Sequence, residues 1–339
     1  MSDSQLRSDI GRLLWIGMEG AALDAQTRGV LEAGDAGGVI LFGRNLPSDE
    51  GGTDLGKLAD LCEELHLAGA KCGEELLLSV DQEGGRVQRI KAPLDHAPPM
   101  FSFANVDDEQ AKVAAQKLGE KMGAELCALG FDINFAPVLD VHTNPDNPVI
   151  GDRAFSDNPK AVALRALAFA RGLEEAGILA CGKHFPGHGD TDTDSHLALP
   201  RLGHSMQRLR EVELVPFVAA CEAKMPLLMT AHVIFACLDD KVPATLSHKV
   251  VTGLLREEMG YQGVVVSDDM DMKAIADNFG VGDAAVSAIE AGCDVLLLCR
   301  NQDHQEQART SLHKAAHEKS VVRERIAQAA ARVRALVPA

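Results

Sequence analysis

Eight short apolar runs recur along the chain, at Leu13–Met18, Gly38–Phe42, Leu76–Val80, Ile133–Val138, Ile178–Lys183, Leu227–His232, Gly263–Ser267 and Val295–Cys299. Each is followed by a polar or Gly-rich turn and then by a stretch with helical spacing. Strands buried on both faces of a parallel sheet read as continuous Val/Ile/Leu runs, and these do. The intervening stretches are rich in Ala, Leu and charge. They predict helices over Asp108–Leu129, Pro159–Ala176 and Gln207–Ala223, and one long helix from Asp303 to Leu336. Strands alternating with helices in this way predict an α/β fold, a single (β/α)8 TIM-type barrel. An open doubly wound sheet would place a Gly-rich phosphate turn after its first strand, and Gly17-Met18-Glu19-Gly20-Ala21-Ala22 lacks that spacing. No linker, low-complexity segment or repeat divides the 339 residues, so one catalytic barrel domain over residues 1–339 is expected.

A barrel carries its chemistry at the C-terminal ends of its strands and in the loops just beyond. Polar residues cluster there: Asp81, Asp140, Lys183 with His184, His232 and Asp268. One such residue would be explained as a loop cap; five predict a shared pocket. The richest segment is Lys183-His184-Phe185-Pro186-Gly187-His188-Gly189-Asp190-Thr191-Asp192-Thr193-Asp194-Ser195-His196, an irregular loop by its glycines and proline. A calcium loop would need Gly at the place of Ser195 and Glu at that of Arg201, so that reading fails. A zinc site built from His184, His188 and His196 lacks any closed ligand spacing. In an acid/base loop, Asp194 and His196 flank one serine and reach the same side of an extended segment. A carboxylate beside imidazole fixes its tautomer and raises its pKa, which suits proton transfer near neutrality.

Asp268, at the end of the buried run Gly263–Ser267, is placed as a nucleophile, and strand alternation turns its neighbour Asp269 away. In Asp81-Gln82-Glu83-Gly84-Gly85-Arg86-Val87-Gln88-Arg89, glycines permit tight reversal while Asp81, Arg86 and Arg89 offer groups that bind hydroxyls or acyl groups. Arg153 adds a guanidinium in the loop after the fourth run. Trp15, His66, Met225 and Met229 read as ordinary packing or surface positions, and His313 with His317 as a solvated helix face.

Charge and cysteine usage narrow the setting. With 33 basic and 50 acidic side chains the net charge is −17, which disfavours nucleic acid or an anionic membrane as partner. No apolar run approaches the length of a membrane span, and the N-terminal stretch lacks the basic and apolar regions of an export signal. The eight cysteines form no CxxC pair and are expected as reduced, buried thiols. A cytoplasmic, monomeric protein without cofactor or metal is therefore expected.

Taken together, KHFPGHGDTDTDSH, DQEGGRVQR, VVSDDM and IGDRAFS resemble the motifs of glycoside hydrolase family 3 β-N-acetylglucosaminidases, and the likeness spans nearly the whole chain. The resemblance implies that Asp268 is the nucleophile of a retaining exo-glycosidase, His196 its general acid/base and Asp194 the partner that tunes the imidazole. It implies that Asp81, Arg89, Arg153, Lys183 and His184 bind N-acetylglucosamine. The substrate it implies is the anhydro-muropeptide disaccharide of cell-wall recycling. Relatives often continue the nucleophile motif as SDDLSM, whereas this chain has Asp271 in the next positions, expected at the surface of the following helix. A phosphorylase is the rival within the same chemistry, since a histidine acid/base spares an incoming phosphate from carboxylate repulsion. A metal-dependent hydrolase and a non-catalytic amino-sugar sensor are the more distant alternatives.

Overall fold

The computed structural model describes residues 2–195 and 198–337. Its centre is a closed barrel of eight parallel strands: β1 (Leu14–Ile16), β2 (Gly38–Leu41), β3 (Leu77–Val80), β4 (Ile133–Asn134), β5 (Leu179–Phe185), β6 (Leu227–Thr230), β7 (Val264–Asp269) and β8 (Val295–Leu298). Each falls on one of the eight apolar runs. Consecutive strands pair in order and β1 closes the ring onto β8, Leu14 opposite Leu296.

Alternation along these strands sorts the core into two compartments. Trp15, Ile40, Leu77, Phe135, Cys181, Met229, Val266 and Leu297 point inward and fill the barrel. Leu14, Ile16, Val39, Leu78, Leu228, Val265 and Leu296 point outward into a larger apolar layer beneath the helices. The lone tryptophan is fully buried and stacks on Phe135, 6.3 Å between centroids.

Helices Asp108–Ala128 and Pro159–Glu175 match their expected spans, with Asp107 and Asn158 as N-caps. Two expected helices are each divided. Gln207–Ala223 becomes Met206–Glu211 and Val215–Glu222, separated by Val212 (φ −128°, ψ −75°) just ahead of Pro216. A proline fits the first turn of the second helix but not the interior of a continuous one. The final stretch becomes Gln302–Glu318 and Ser320–Arg334, with Lys319 extended (φ −131°, ψ 113°) between them. That turn lets Arg334 reach back to Asp9 (2.7 Å) and Glu74 (2.7 Å) and ties the C-terminal helix to the N-terminal one.

The cysteine expectation is half right. Cys62, Cys181, Cys293 and Cys299 are buried thiols, whereas Cys72, Cys127 and Cys237 are exposed; all eight are free. No helix among the described residues is long and apolar enough to cross a membrane.

Candidate active site

Beyond β3 the chain makes a small antiparallel hairpin, Gln82–Gly84 with Val87–Gln88. Gly84 (φ +100°) and Gly85 (φ +54°) take the left-handed backbone that closes it. The hairpin returns Arg89 to the strand end, where a guanidinium nitrogen lies 3.1 Å from Asp81 Oδ2. From β5, Lys183 Nζ reaches Asp81 Oδ1 at 2.8 Å and Glu83 Oε1 at 2.6 Å. Arg153, in the loop after β4, donates both arms of its fork to Glu83, at 2.8 Å each. Two carboxylates and three cations thus alternate across one wall.

Burial opposes charging Asp81, Glu83, Lys183 and Arg153, and mutual attraction overrides it. The Lys183 ammonium and Arg89 guanidinium hold the Asp81 carboxyl well below the usual range. Arg153 and Lys183 bring Glu83 down to about 2. Lys183 and Arg153 are raised in turn by these carboxylates. The wall stays ionised across the neutral range.

Facing it, β7 carries Asp268 one residue before its end. The strand is irregular here: Val266 pairs with Val295 but Asp269 pairs with Leu297, a register shift that sets two residues aside. Ser267 Oγ accepts the Leu297 N–H at 3.0 Å in place of a ladder bond. Bulges of this kind re-aim side chains beside active sites. The simple alternation expected of Asp268 and Asp269 therefore fails, and both border the same cavity. Their surroundings differ. Asp269 accepts the N–H groups of Asp271 (3.0 Å) and Cys299 (3.2 Å), so one of its oxygens is committed to the backbone. Burial, and then the charge of Asp271, push its pKa up to about 6.

Asp271 departs from expectation. Its carboxylate is buried, accepts the N–H groups of Arg300 (2.7 Å) and Asn301 (3.1 Å), and pairs with His304 Nδ1 at 2.5 Å. The helix starts only at Lys273, so this carboxylate braces the loop after β8 rather than facing solvent.

The loop leaving β5 packs onto the one leaving β4. Asp140, fully buried, accepts from His184 Nδ1 (2.7 Å) and the His188 N–H (2.6 Å). Thr143 donates to Asp190 at 2.6 Å, and His204 lies 2.8 Å from the other oxygen of that carboxylate. His232 sits behind the pocket, bonding Thr245 Oγ1 (2.8 Å) and the Asp269 carbonyl (3.1 Å).

Asp81, Arg89, Arg153, Lys183, His184, Asp194 and Asp268 all line one cavity of about 340 Å³ at the C-terminal mouth of the barrel. Its floor is the top of the barrel core, Ile40, Phe135, Met229 and Leu297. His196 lies outside the described residues. Of the five polar strand ends, Asp140 and His232 do not line the cavity and instead brace it from behind. Glu83 was not singled out in the sequence, although its spacing from Asp81 puts both on one face of an extended segment. His188 has both ring nitrogens engaged by hydroxyls, and among the described residues no three His, Cys, Asp or Glu side chains gather as metal ligands.

A barrel mouth with a charge-paired wall opposite a strand-end carboxylate suits the grip and cleavage of a polyhydroxyl substrate, and comparison with known proteins decides the family. The model of the glycosyl hydrolase family 3 N-terminal domain matches residues 5–336. The chain belongs to glycosyl hydrolase family 3. This family 3 glycosidase is 42% identical over 293 residues to the β-hexosaminidase of Alkalilimnicola ehrlichii, covering 86% of this chain and 81% of that one. Among solved structures, a family 3 β-N-acetylglucosaminidase from a Paenibacillus species superposes with a TM-score of 0.91 at 40% identity. The match covers 98% of this chain and 62% of that longer one. NagZ from Neisseria gonorrhoeae superposes with a TM-score of 0.79 at 32% identity, covering 95% of this chain and 97% of that one.

Proposed function

We propose that this family 3 hydrolase is a retaining exo-β-N-acetylglucosaminidase acting as one catalytic unit on anhydro-muropeptides in the cytoplasm. The observation that carries the reading is the convergence of Asp268, Asp194 and the Asp81–Glu83–Lys183–Arg153 wall on a single cavity. The relatives named β-hexosaminidase and β-N-acetylglucosaminidase supply the sugar.

In this reading Asp81, Arg89, Arg153, Lys183 and His184 bind the terminal sugar. The alternating charges present several fixed donors and acceptors to its hydroxyls and acetamide, in a site from which water is displaced. Asp268 attacks the anomeric carbon as the bond to the leaving oxygen breaks, forming a glycosyl ester. His196, two residues beyond Asp194, gives its proton to the leaving oxygen. It then takes a proton from the water that attacks the ester and frees Asp268. Most retaining glycosidases use a second carboxyl about 5–5.5 Å from the nucleophile for that proton. Here an imidazole steered by Asp194 takes the role.

The reading is tested with aryl N-acetyl-β-glucosaminide, aryl β-glucoside and aryl N-acetyl-β-galactosaminide side by side. Turnover should be fastest on the first, by at least about two orders of magnitude over the glucoside, because site groups left unpaired by a missing acetamide cost that much. Equal turnover of the glucoside would refute the amino-sugar assignment. Running the reaction in phosphate and in a non-nucleophilic buffer separates hydrolysis from phosphorolysis: sugar 1-phosphate as main product would make the enzyme a phosphorylase.

A further inference from the structure

Between the end of β5 and Asp194 the chain wraps around one imidazole. His188 is 1% exposed, and both of its ring nitrogens meet hydroxyls. Nδ1 lies 2.7 Å from Thr191 Oγ1 and Nε2 lies 3.0 Å from Ser195 Oγ. The Thr191 hydroxyl is also within reach of the His188 carbonyl (3.1 Å) and accepts from Asn147 Nδ2 (3.2 Å). A neutral imidazole donates through one nitrogen and accepts through the other, and the two hydroxyls take the complementary roles.

The ring is also held from behind. Asp140 accepts the His188 N–H at 2.6 Å, and Asn147 Nδ2 donates to the His188 carbonyl at 2.9 Å. Burial, followed by the neighbouring His184 ring, brings His188 down to about 4, which keeps the ring neutral with one donor and one acceptor nitrogen. Ser195 is as deeply buried as His188, and it is the residue between Asp194 and His196.

We propose that His188 is a positioning residue: through its hydrogen bond with the Ser195 hydroxyl it holds the backbone that carries Asp194, the carboxylate that steers the proton donor. The inference rests on the reading of His196 as proton donor and extends it to the groups that hold it. Losing one such hydrogen bond loosens the support of that carboxylate without unfolding the barrel.

The test compares Ser195→Ala, Ser195→Thr, His188→Gln and His196→Ala on 2,4-dinitrophenyl and phenyl N-acetyl-β-glucosaminides. A misplaced donor harms only leaving groups that need the proton. Ser195→Ala should lower kcat on the phenyl glycoside roughly tenfold, the equivalent of one hydrogen bond, with a loss of under about threefold on the dinitrophenyl one and KM within twofold. Ser195→Thr, which keeps the hydroxyl, should restore most of that loss. His188→Gln should show the same leaving-group dependence, and combining it with Ser195→Ala should add little. Equal losses on both substrates, or a change confined to KM or Tm, would overturn the positioning role. If His196→Ala shows leaving-group dependence and Ser195→Ala does not, the His188 assignment alone fails. If His196→Ala shows none, the proton-donor reading fails and the positioning role falls with it.

Discussion

The two sides of the cavity are held by different physics. The charged wall, Asp81, Glu83, Lys183, Arg153 and Arg89, is a row of opposite charges at 2.6–3.1 Å, with Glu83 and Lys183 buried and the other three partly exposed. The opposing loop, from Pro186 to Ser195, has no such row: bonds among one imidazole, two hydroxyls and the amides of Asn144 and Asn147 stand beside separate contacts of the Asp140 and Asp190 carboxylates. Removing one member of a buried charge row strands its partner in a poor solvent, so the wall is either complete or badly damaged. Each loop bond is individually modest and can be lost and remade, as a segment that must admit substrate and release product requires. In the proposed mechanism the difference separates a side that grips the sugar from a side that delivers a proton.

Four substitutions break or sharpen that contrast. Asp268→Ala, which belongs to neither side, should lower kcat by roughly 10⁴-fold or more while the protein still binds product, read by steady-state kinetics and calorimetry. Retention of a tenth of the activity would contradict its role. Lys183→Met should cost about 3–5 kcal/mol in urea unfolding, because Asp81 and Glu83 lose the cation between them. A loss under about 1 kcal/mol would mean the wall is solvated rather than buried. On the loop side, a Cβ on Gly189 would lie 1.8 Å from the Val141 carbonyl oxygen, so Gly189→Ala must push the loops after β4 and β5 apart. A destabilisation of about 1–3 kcal/mol is expected, with kcat falling more than KM rises.

The smallest effect concerns pH. Glu83, held at about 2 against an ordinary 4.5, adds stability that is full above the ordinary value and fades as pH falls through the lower one. Asp269, raised to about 6 from 3.8, works with the opposite sign: its contribution is full below 3.8 and is lost as pH rises through 6. Asp269→Asn should therefore flatten the decline in Tm between those two values. An unchanged slope would show that Asp269 is not pressed by burial and Asp271.

Much of this is legible in the sequence. Continuous apolar runs mark all eight strands because a parallel barrel strand is buried on both faces, and the strand ends pointed to Asp81, Lys183, His184 and Asp268. Other features depend on partners distant in the chain. Asp271 looked like a surface residue because His304, its partner, lies 33 residues away. The bulge in β7 follows from pairing with β8, so alternation alone misjudged Asp269. Lys319 breaks the last helix without a proline or glycine to announce it, and what replaces the continuous helix is the contact of Arg334 with Asp9 and Glu74. Glu83 sat unremarked in a Gly-rich turn because its meaning comes from Arg153, 70 residues on.

Because Asp268 and Asp269 both border the cavity, the nucleophile is the point where the account is most exposed. Incubating the enzyme with a 2-fluoro sugar bearing a good leaving group, then digesting it and locating the added mass by fragmentation, addresses it directly. One sugar per chain is expected, esterified to Asp268, with no labelling of Asp268→Ala. A sugar on Asp269, or turnover with no trapped ester under conditions that slow its hydrolysis, would contradict it.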